Sequence, residues 1–402
     1  MTKGKPRLPQ KVSRREFLKL AAAGAIGALA GCCSAPQTSA DIALVGGTLI
    51  DGTGADPLSD AVVTVRDGCI AAVGTGAQAN IPKGAKTIDV SGATILPGFI
   101  NAHVHGSYDE DTLRAWAQGG VTTVRDMATG QPVKDAFAFR DGVRDNLQCA
   151  RLVAAGRMVT VPDGYPIARW GVDSITVISP EDARQKVDQL LNDGADFVKI
   201  PLESGAIFGF SMPMLSPEEA AAIIETAHAR GAWVSAHVSV TRDLEKALDA
   251  GVDDIAHMVT DKLPDELAAR VVESDTYWVP TIELWKGVGY GLGAHVVDNL
   301  RRFVEAGGKV ALGTDYAGAP NVDFDLGMPI HEIEWMQEAG MTALQIVVAA
   351  TKHAAHVCNL GQEFGTLEVG KIADILVVDG DPQEDIHALT RTKMVFREGV
   401  SV

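Results

Sequence analysis

Between residues 95 and 315 the chain repeats one unit: a helix-like stretch, a glycine, a short apolar run and a polar residue that closes the run. The apolar runs fall at 95–102, 121–125, 151–155, 197–200, 233–236, 254–256, 277–279 and 310–313, eight in all. Short apolar runs bounded by glycine read as buried strands, and the stretches between them, such as 180–192, 217–229, 242–250 and 264–274, carry apolar residues at helical spacing. Strands alternating with helices predict an α/β fold, a (β/α)8 TIM barrel over residues 95–358. In that architecture the reactive groups gather at the carboxyl ends of the strands.

The residues that close these runs are those that can bind metal. His103 and His105 end the first, and alternate strand residues point the same way, so the pair shares one face and can clamp one ion. Lys199 lies in Phe197-Val198-Lys199-Ile200, where a lysine is costly to bury without a partner. His237, His257 and Asp315 follow the fifth, sixth and eighth runs. An isolated His-x-His arises often by chance, but six such residues in order do not. Read singly, Lys199 is equally a lysine that snorkels to a barrel rim, and His228, His295, His331, His353, His356 and His387 read as structural or solvated residues.

The stretches Leu96-Pro97-Gly98-Phe99-Ile100-Asn101-Ala102-His103-Val104-His105, Gly119-Gly120-Val121-Thr122-Thr123-Val124-Arg125-Asp126, Gly194-Ala195-Asp196-Phe197-Val198-Lys199-Ile200, Gly313-Thr314-Asp315 and Gly370-Lys371-Ile372-Ala373-Asp374 resemble the amidohydrolase superfamily. The likeness runs from Asp41 to Val402 and is strongest to its imidazolonepropionase-like and prolidase-like members, the metal-dependent dipeptidases. It implies a binuclear site, most often zinc, with His103 and His105 on the first metal and His237 and His257 on the second. It also implies a CO2-derived carbamate on Lys199 bridging the two, and Asp315 as the carboxylate after strand eight. A free lysine is an ammonium and cannot ligate, whereas a carbamate offers two anionic oxygens. In such a site two divalent ions sharing a water lower its pKa, Asp315 moves the proton to the leaving amine, and His257 helps orient the carbonyl.

The ends of the chain complete the domain plan. Short β-like runs at 42–45, 48–50, 61–65 and 70–73, and again at 374–378 and 393–397, could not bury a core on either side alone. They predict one small β-sandwich built from residues 41–94 and 359–402, with the barrel inserted between them. Ahead of it, Ser13-Arg14-Arg15-Glu16-Phe17-Leu18-Lys19 is a twin-arginine export motif. An apolar stretch follows, and Leu29-Ala30-Gly31-Cys32 resembles a lipobox. Residues 1–31 therefore read as a lipoprotein signal peptide, Cys32 as the lipidated first residue and 32–40 as a tether. The apolar run is shorter than the ~20 residues a membrane span needs, which disfavours an uncleaved transmembrane helix. The expected location is outside the cytoplasm, anchored to a membrane by lipid.

Removing a leader with seven basic residues and one acidic one takes the formal charge from −17 to −23. A body this acidic lacks the basic patches that grip phosphates, so nucleic acid is not an expected partner. Cys69, Cys149 and Cys358 show no Cys-x-x-Cys spacing and read as small buried residues outside any disulfide framework. For substrate contacts, the segment 161–170 should overhang the barrel mouth, where Arg169 could grip a carboxylate and Tyr165 could donate a hydrogen bond; rim packing of both is an equal alternative. The short connection between runs seven and eight suggests an open pocket for longer or bulkier substrates. The expected activity is hydrolysis of the C–N amide bond of dipeptides or N-acyl amino acids. The alternatives are a cyclic amide or lactone hydrolase and, from another class, a non-catalytic metal- or solute-binding lipoprotein, with homo-oligomerisation left open.

Overall fold

The computed structural model describes residues 42–76 and 81–402. The export motif, Cys32 and the tether lie outside the described residues. Two β-assemblies organise what is described. The first is an eight-stranded mixed sheet of β1 (Ile42–Leu49), β2 (Leu58–Arg66), β3 (Cys69–Thr75), β4 (Lys86–Asp89), β5 (Ala93–Pro97), β15 (Ile375–Asp379), β16 (Thr392–Arg397) and β17 (Val400–Ser401). Its order is β17-β16-β15-β5-β1-β2-β3, with β4 paired to β1. β15 lies antiparallel to β5, with Leu376 opposite Leu96, so amino- and carboxyl-terminal segments share one sheet. Their apolar side chains, among them Leu44, Val63, Ile95, Ile375, Val377 and Phe396, form a core of their own. The two ends of the chain, expected to build one small β-sandwich together, thus share one sheet.

The second assembly is parallel. β6 (Phe99–Val104), β7 (Val121–Asp126) and β8 (Arg151–Ala154) form one sheet, and β11 (Val198–Pro201), β12 (Val234–His237), β13 (Asp254–Ala256) and β14 (Tyr277–Val279) another. A small parallel pair, β9 (Val159–Thr160) with β10 (Ile175–Thr176), follows β8 and was not expected. Every residue of β6, β7, β11 and β12 is buried, because helices cover the outside and the strands face one another inside. The helices begin where the sequence supplies caps: Ser179 accepts from Asp182 N–H ahead of Pro180–Asn192, and Ser216 and Glu219 form a capping box ahead of Pro217–Ala229.

Two strand expectations are corrected. The apolar run at 95–102 is not one strand: it divides at Gly98, whose N–H donates to Asp374 O at 2.9 Å. A Cβ at Gly98 would stand 2.4 Å from the Thr122 side chain, so the handover from the terminal sheet to the parallel one needs glycine. The eighth run, 310–313, forms no regular strand. It makes one isolated parallel bridge, Trp278 with Val310, and Ala102 N–H donates to Leu312 O at 2.8 Å; the bridge of Val104 with Tyr316 lies just beyond it. Between β8 and the approach to β11, Asp196 N–H donates to Ala154 O at 3.0 Å and Ala154 N–H donates to the Asp196 carboxylate at 2.8 Å. The parallel strands are therefore two sheets joined by isolated bonds rather than one continuous eight-stranded ladder. Cys149 and Cys358 are buried free thiols, but Cys69 is disulfide-bonded, against expectation.

One polar contact spans the interior of the parallel assembly. Arg125 on β7 is fully buried and donates to both carboxylate oxygens of Asp254 on β13, at 2.9 and 3.0 Å. Its remaining donors reach the carbonyls of Ala102 and Val357, and Ser235 Oγ donates to Asp254 at 2.7 Å. A buried ion pair persists when its lone pairs and protons are satisfied in this way.

Candidate metal centre

The polar residues at the strand ends converge. His103 closes on the Asp315 carboxylate, with Nε2 2.9 Å from Oδ1, and His105 Nε2 stands 3.1 Å from the same oxygen. The ring of His257 lies 4.7 Å from that of His103 and 4.5 Å from that of His237, centre to centre. His103, His257 and Asp315 each present a ligand atom within 4.8 Å of the others, and all three are buried. Lys199 and His237 line the same inner cavity, of about 280 Å³. All six residues picked out in the sequence thus border one space.

Local structure fixes their orientation. His105 Nδ1 lies 2.9 Å from the Ala128 carbonyl, which can only accept, so Nδ1 carries the proton and Nε2 keeps its lone pair for the centre. His257 Nδ1 meets Thr281 Oγ1 at 2.8 Å. The backbone is left-handed at His257 (φ 74°), Thr281 (φ 48°) and Asp315 (φ 66°), a conformation that costs a non-glycine residue roughly 1–3 kcal/mol. Bonds on either side hold it: His257 N–H to Val279 O, Trp278 Nε1 to His257 O, and Asp315 N–H to His103 O. Gly313 permits the approach, since a Cβ there would lie 2.8 Å from His103 Cβ.

The polar atoms here are not satisfied by one another. His103 Nδ1 and Nε2, Asp315 Oδ1 and Lys199 Nζ are all buried without a hydrogen-bond partner, and the short His103–Asp315 contact is not aligned as a hydrogen bond. Buried polar atoms left without partners beside a group of ligand atoms within 4.8 Å of one another are an arrangement that suits a cation, and the donor set of imidazoles and a carboxylate suits a divalent transition ion. Burial lowers the His103 pKa to about 3, so its imidazole stays neutral. Burial likewise lowers Lys199 to about 7, leaving much of it an amine near neutrality. For Asp315, burial alone would raise the pKa, but His103, His105 and His257 hold it well below the usual carboxylate range.

Of the expected substrate contacts, Tyr165 stacks on His237 (ring centres 4.2 Å apart, planes at 20°) and lines the inner cavity and a wider outer one of about 790 Å³. Arg169 borders only the outer cavity, with its guanidinium 3.8 Å above the Trp170 ring and 5.1 Å from that of Phe208. Segments 284–292 and 318–321 contribute to the outer wall. Three neighbours of the centre escaped sequence reading. Thr281 orients His257, Glu203 is buried with Oε2 3.6 Å from His237 Nε2, and Asp126 is pushed up to about 7 by burial beside His105. Asp126 ends β7, and Glu203 and Thr281 lie two residues beyond β11 and β14. His228, expected at the surface, is exposed there, and its Nε2 meets Asp253 at 2.8 Å.

Residues 94–402 match the amidohydrolase family. The chain belongs to that family. Its members are hydrolases acting on C–N bonds and are generally metal-dependent, and the likeness to imidazolonepropionase-like and prolidase-like members read from the sequence stands. The chain is similar to ochratoxinase of Aspergillus niger, 25% identical over 87% of this chain and 83% of that protein. Imidazolonepropionase of Geobacillus sp. (strain WCH70) is 27% identical over 79% of this chain and 83% of its own length. Among solved structures, a Xaa-Pro dipeptidase with methionine bound in its active site superposes with a TM-score of 0.77 at 26% identity, covering 90% of this chain and all (100%) of that one. These fold neighbours imply a TIM barrel.

Proposed function

We propose that this chain is an exported, lipid-anchored amidohydrolase that cleaves the C–N amide bond of dipeptides or N-acyl amino acids at a two-metal centre. The observation that carries the reading is the grouping of His103, His257 and Asp315 ligand atoms within 4.8 Å of one another, with buried atoms of His103, Asp315 and Lys199 left without a hydrogen-bond partner, at an accessible cavity. His103 and His105 would hold one divalent ion and His237 and His257 another, with zinc the best match to the imidazole-rich donor set. Lys199 supports the bridging role: its buried nitrogen has no partner, and as a neutral amine it can add to CO2, forming an N–C bond and releasing a proton to leave an anionic carbamate. When bound, such ions lower the pKa of a shared water and polarise a carbonyl.

The chain's own groups would do the rest. Asp315, kept ionised by the surrounding imidazoles, accepts the proton of the attacking water and passes it to the leaving amine nitrogen. His257, locked by Thr281, helps orient the carbonyl. Tyr165, stacked on His237, would donate to the substrate, and Arg169 at the outer rim would take a free carboxylate. The outer cavity of about 790 Å³ suits substrates with a bulky side chain or acyl group. The resemblance of the leader to twin-arginine and lipobox sequences supports export and anchoring through Cys32. Among the described residues no helix is long and apolar enough to cross a membrane.

The test is amine release from a panel of dipeptides and N-acyl amino acids by protein loaded with zinc in bicarbonate buffer. Turnover confined to one group is expected and would identify the side chain that the cavity accommodates. Silence across the panel, with two ions per chain verified, would contradict the reading and favour cyclic amides or lactones.

A further inference from the structure

A second cluster of ligand atoms lies outside the centre just described. Glu283, Asp325 and His331 each present one atom within 4.8 Å of the others. Glu283 belongs to the helix Ile282–Val288, His331 to the helix Ile330–Glu338, and Asp325 to the segment that leads into the latter. The cluster is already organised. Asp325 N–H donates to Glu283 Oε1 at 3.0 Å, His331 N–H donates to Asp325 Oδ2 at 2.8 Å, and His331 Nδ1 lies 3.1 Å from that same oxygen.

Those contacts leave one group unexplained. The Glu283 side chain is buried, and its Oε2 has no hydrogen-bond partner. Its neighbour Glu332 is fully buried too, but both Glu332 oxygens accept backbone bonds, from Ile282 and Glu283 N–H, so it caps the helix and is fully used. A second buried carboxylate with a bare oxygen beside the first is a costly arrangement, and no lysine or arginine is paired with Glu283 among the described residues. Burial pushes Glu283 up to about 9 in the absence of a counter-ion. Either a proton or a cation must neutralise it, and the imidazole and the Asp325 carboxylate add what a proton would not require.

We propose that Glu283, Asp325 and His331 form a cation site, separate from the His103–Asp315 centre, for a borderline divalent ion such as Zn2+. Two carboxylate oxygens and one imidazole nitrogen are a three-ligand set of that class, and the partial exposure of His331 leaves room for water as a further ligand. The ion would tie the helix carrying Leu284 and Trp285 to the chain just beyond Ala319, Pro320 and Asn321, and all five of these residues line the outer cavity. The site is therefore structural, holding two walls of that cavity at a fixed spacing.

The proposal is tested by metal content. The full chain, Asp325→Asn and His331→Ala are equilibrated against the same buffered Zn2+, and zinc per chain is measured by mass spectrometry, with thermal unfolding followed with and without Zn2+. Both variants are expected to hold one ion fewer than the unaltered chain and to show a smaller Zn2+-dependent rise in Tm. Asp325→Asn is nearly isosteric and the His331 ring is more than half exposed, so both variants should fold. Equal zinc content in all three proteins would overturn the site. So would a loss confined to one variant, since the three ligands must act together.

Discussion

Replacing Asp254 with alanine should damage the fold more than any other single carboxylate change. Arg125 and Asp254 are both buried to the limit, and the guanidinium makes four hydrogen bonds, two of them to this carboxylate. Asp254→Ala leaves a buried guanidinium with half its bonds and strands Ser235 Oγ, and breaking a buried pair on one side costs about 3–5 kcal/mol. Arg125→Met should cost a similar amount by leaving the carboxylate unpaired. The double variant Arg125→Met/Asp254→Leu removes both charges and fills the space, so its cost should fall well below the sum of the singles, with a coupling of at least about 2 kcal/mol. Urea unfolding at fixed metal concentration, read from the midpoint with m held constant, measures all three. Additive losses, with coupling below about 0.5 kcal/mol, would refute the claim that the two charges depend on one another.

Other expectations follow from single contacts. Thr281→Val removes the hydrogen bond to His257 Nδ1 and should weaken zinc affinity by about 10–100-fold, measured by competition with a chromophoric chelator; unchanged affinity would show that the ring is held otherwise. Burial raises Glu332 from its usual 4.5 to about 8, so the folded state binds the proton more tightly than the unfolded chain. Metal-free protein should therefore lose stability as pH rises from about 4.5 to 8, and Glu332→Gln should flatten that slope in urea titrations; parallel slopes would contradict it. If Cys32 carries lipid, Cys32→Ala should move the exported protein from the membrane pellet to the soluble fraction, and no change in partition would remove the anchor from the account.

How much could be read beforehand depended on contrast. Lys199, His237, His257 and Asp315 stand out because each interrupts or ends a short apolar run whose other side chains, Trp233 apart, are buried. Pro97-Gly98 marks a break in the first run, but β5 and β6 on either side of it are both fully buried, so the sequence does not show that the break is a change of sheet. The eighth run looked like its companions, yet Gly313 and the left-handed turn at Asp315 bend it around His103, so it makes bridges and no ladder. Thr281 and Glu203 matter through what they touch, and contacts between distant segments leave no periodic trace. Tyr165 was chosen for its donor group, whereas the structure gives it a further role as a stacking platform for His237.

The most direct test of the central claim is Asp315→Asn, with zinc per chain and amine release measured on the same samples. The account predicts that His103, His105, His237 and His257 keep the metals bound while turnover of the best dipeptide or N-acyl amino acid falls by about 10²–10⁴-fold. Hydrolysis that survives the substitution at full metal occupancy would contradict the assignment of Asp315 as the proton carrier and, with it, the mechanism proposed for this site.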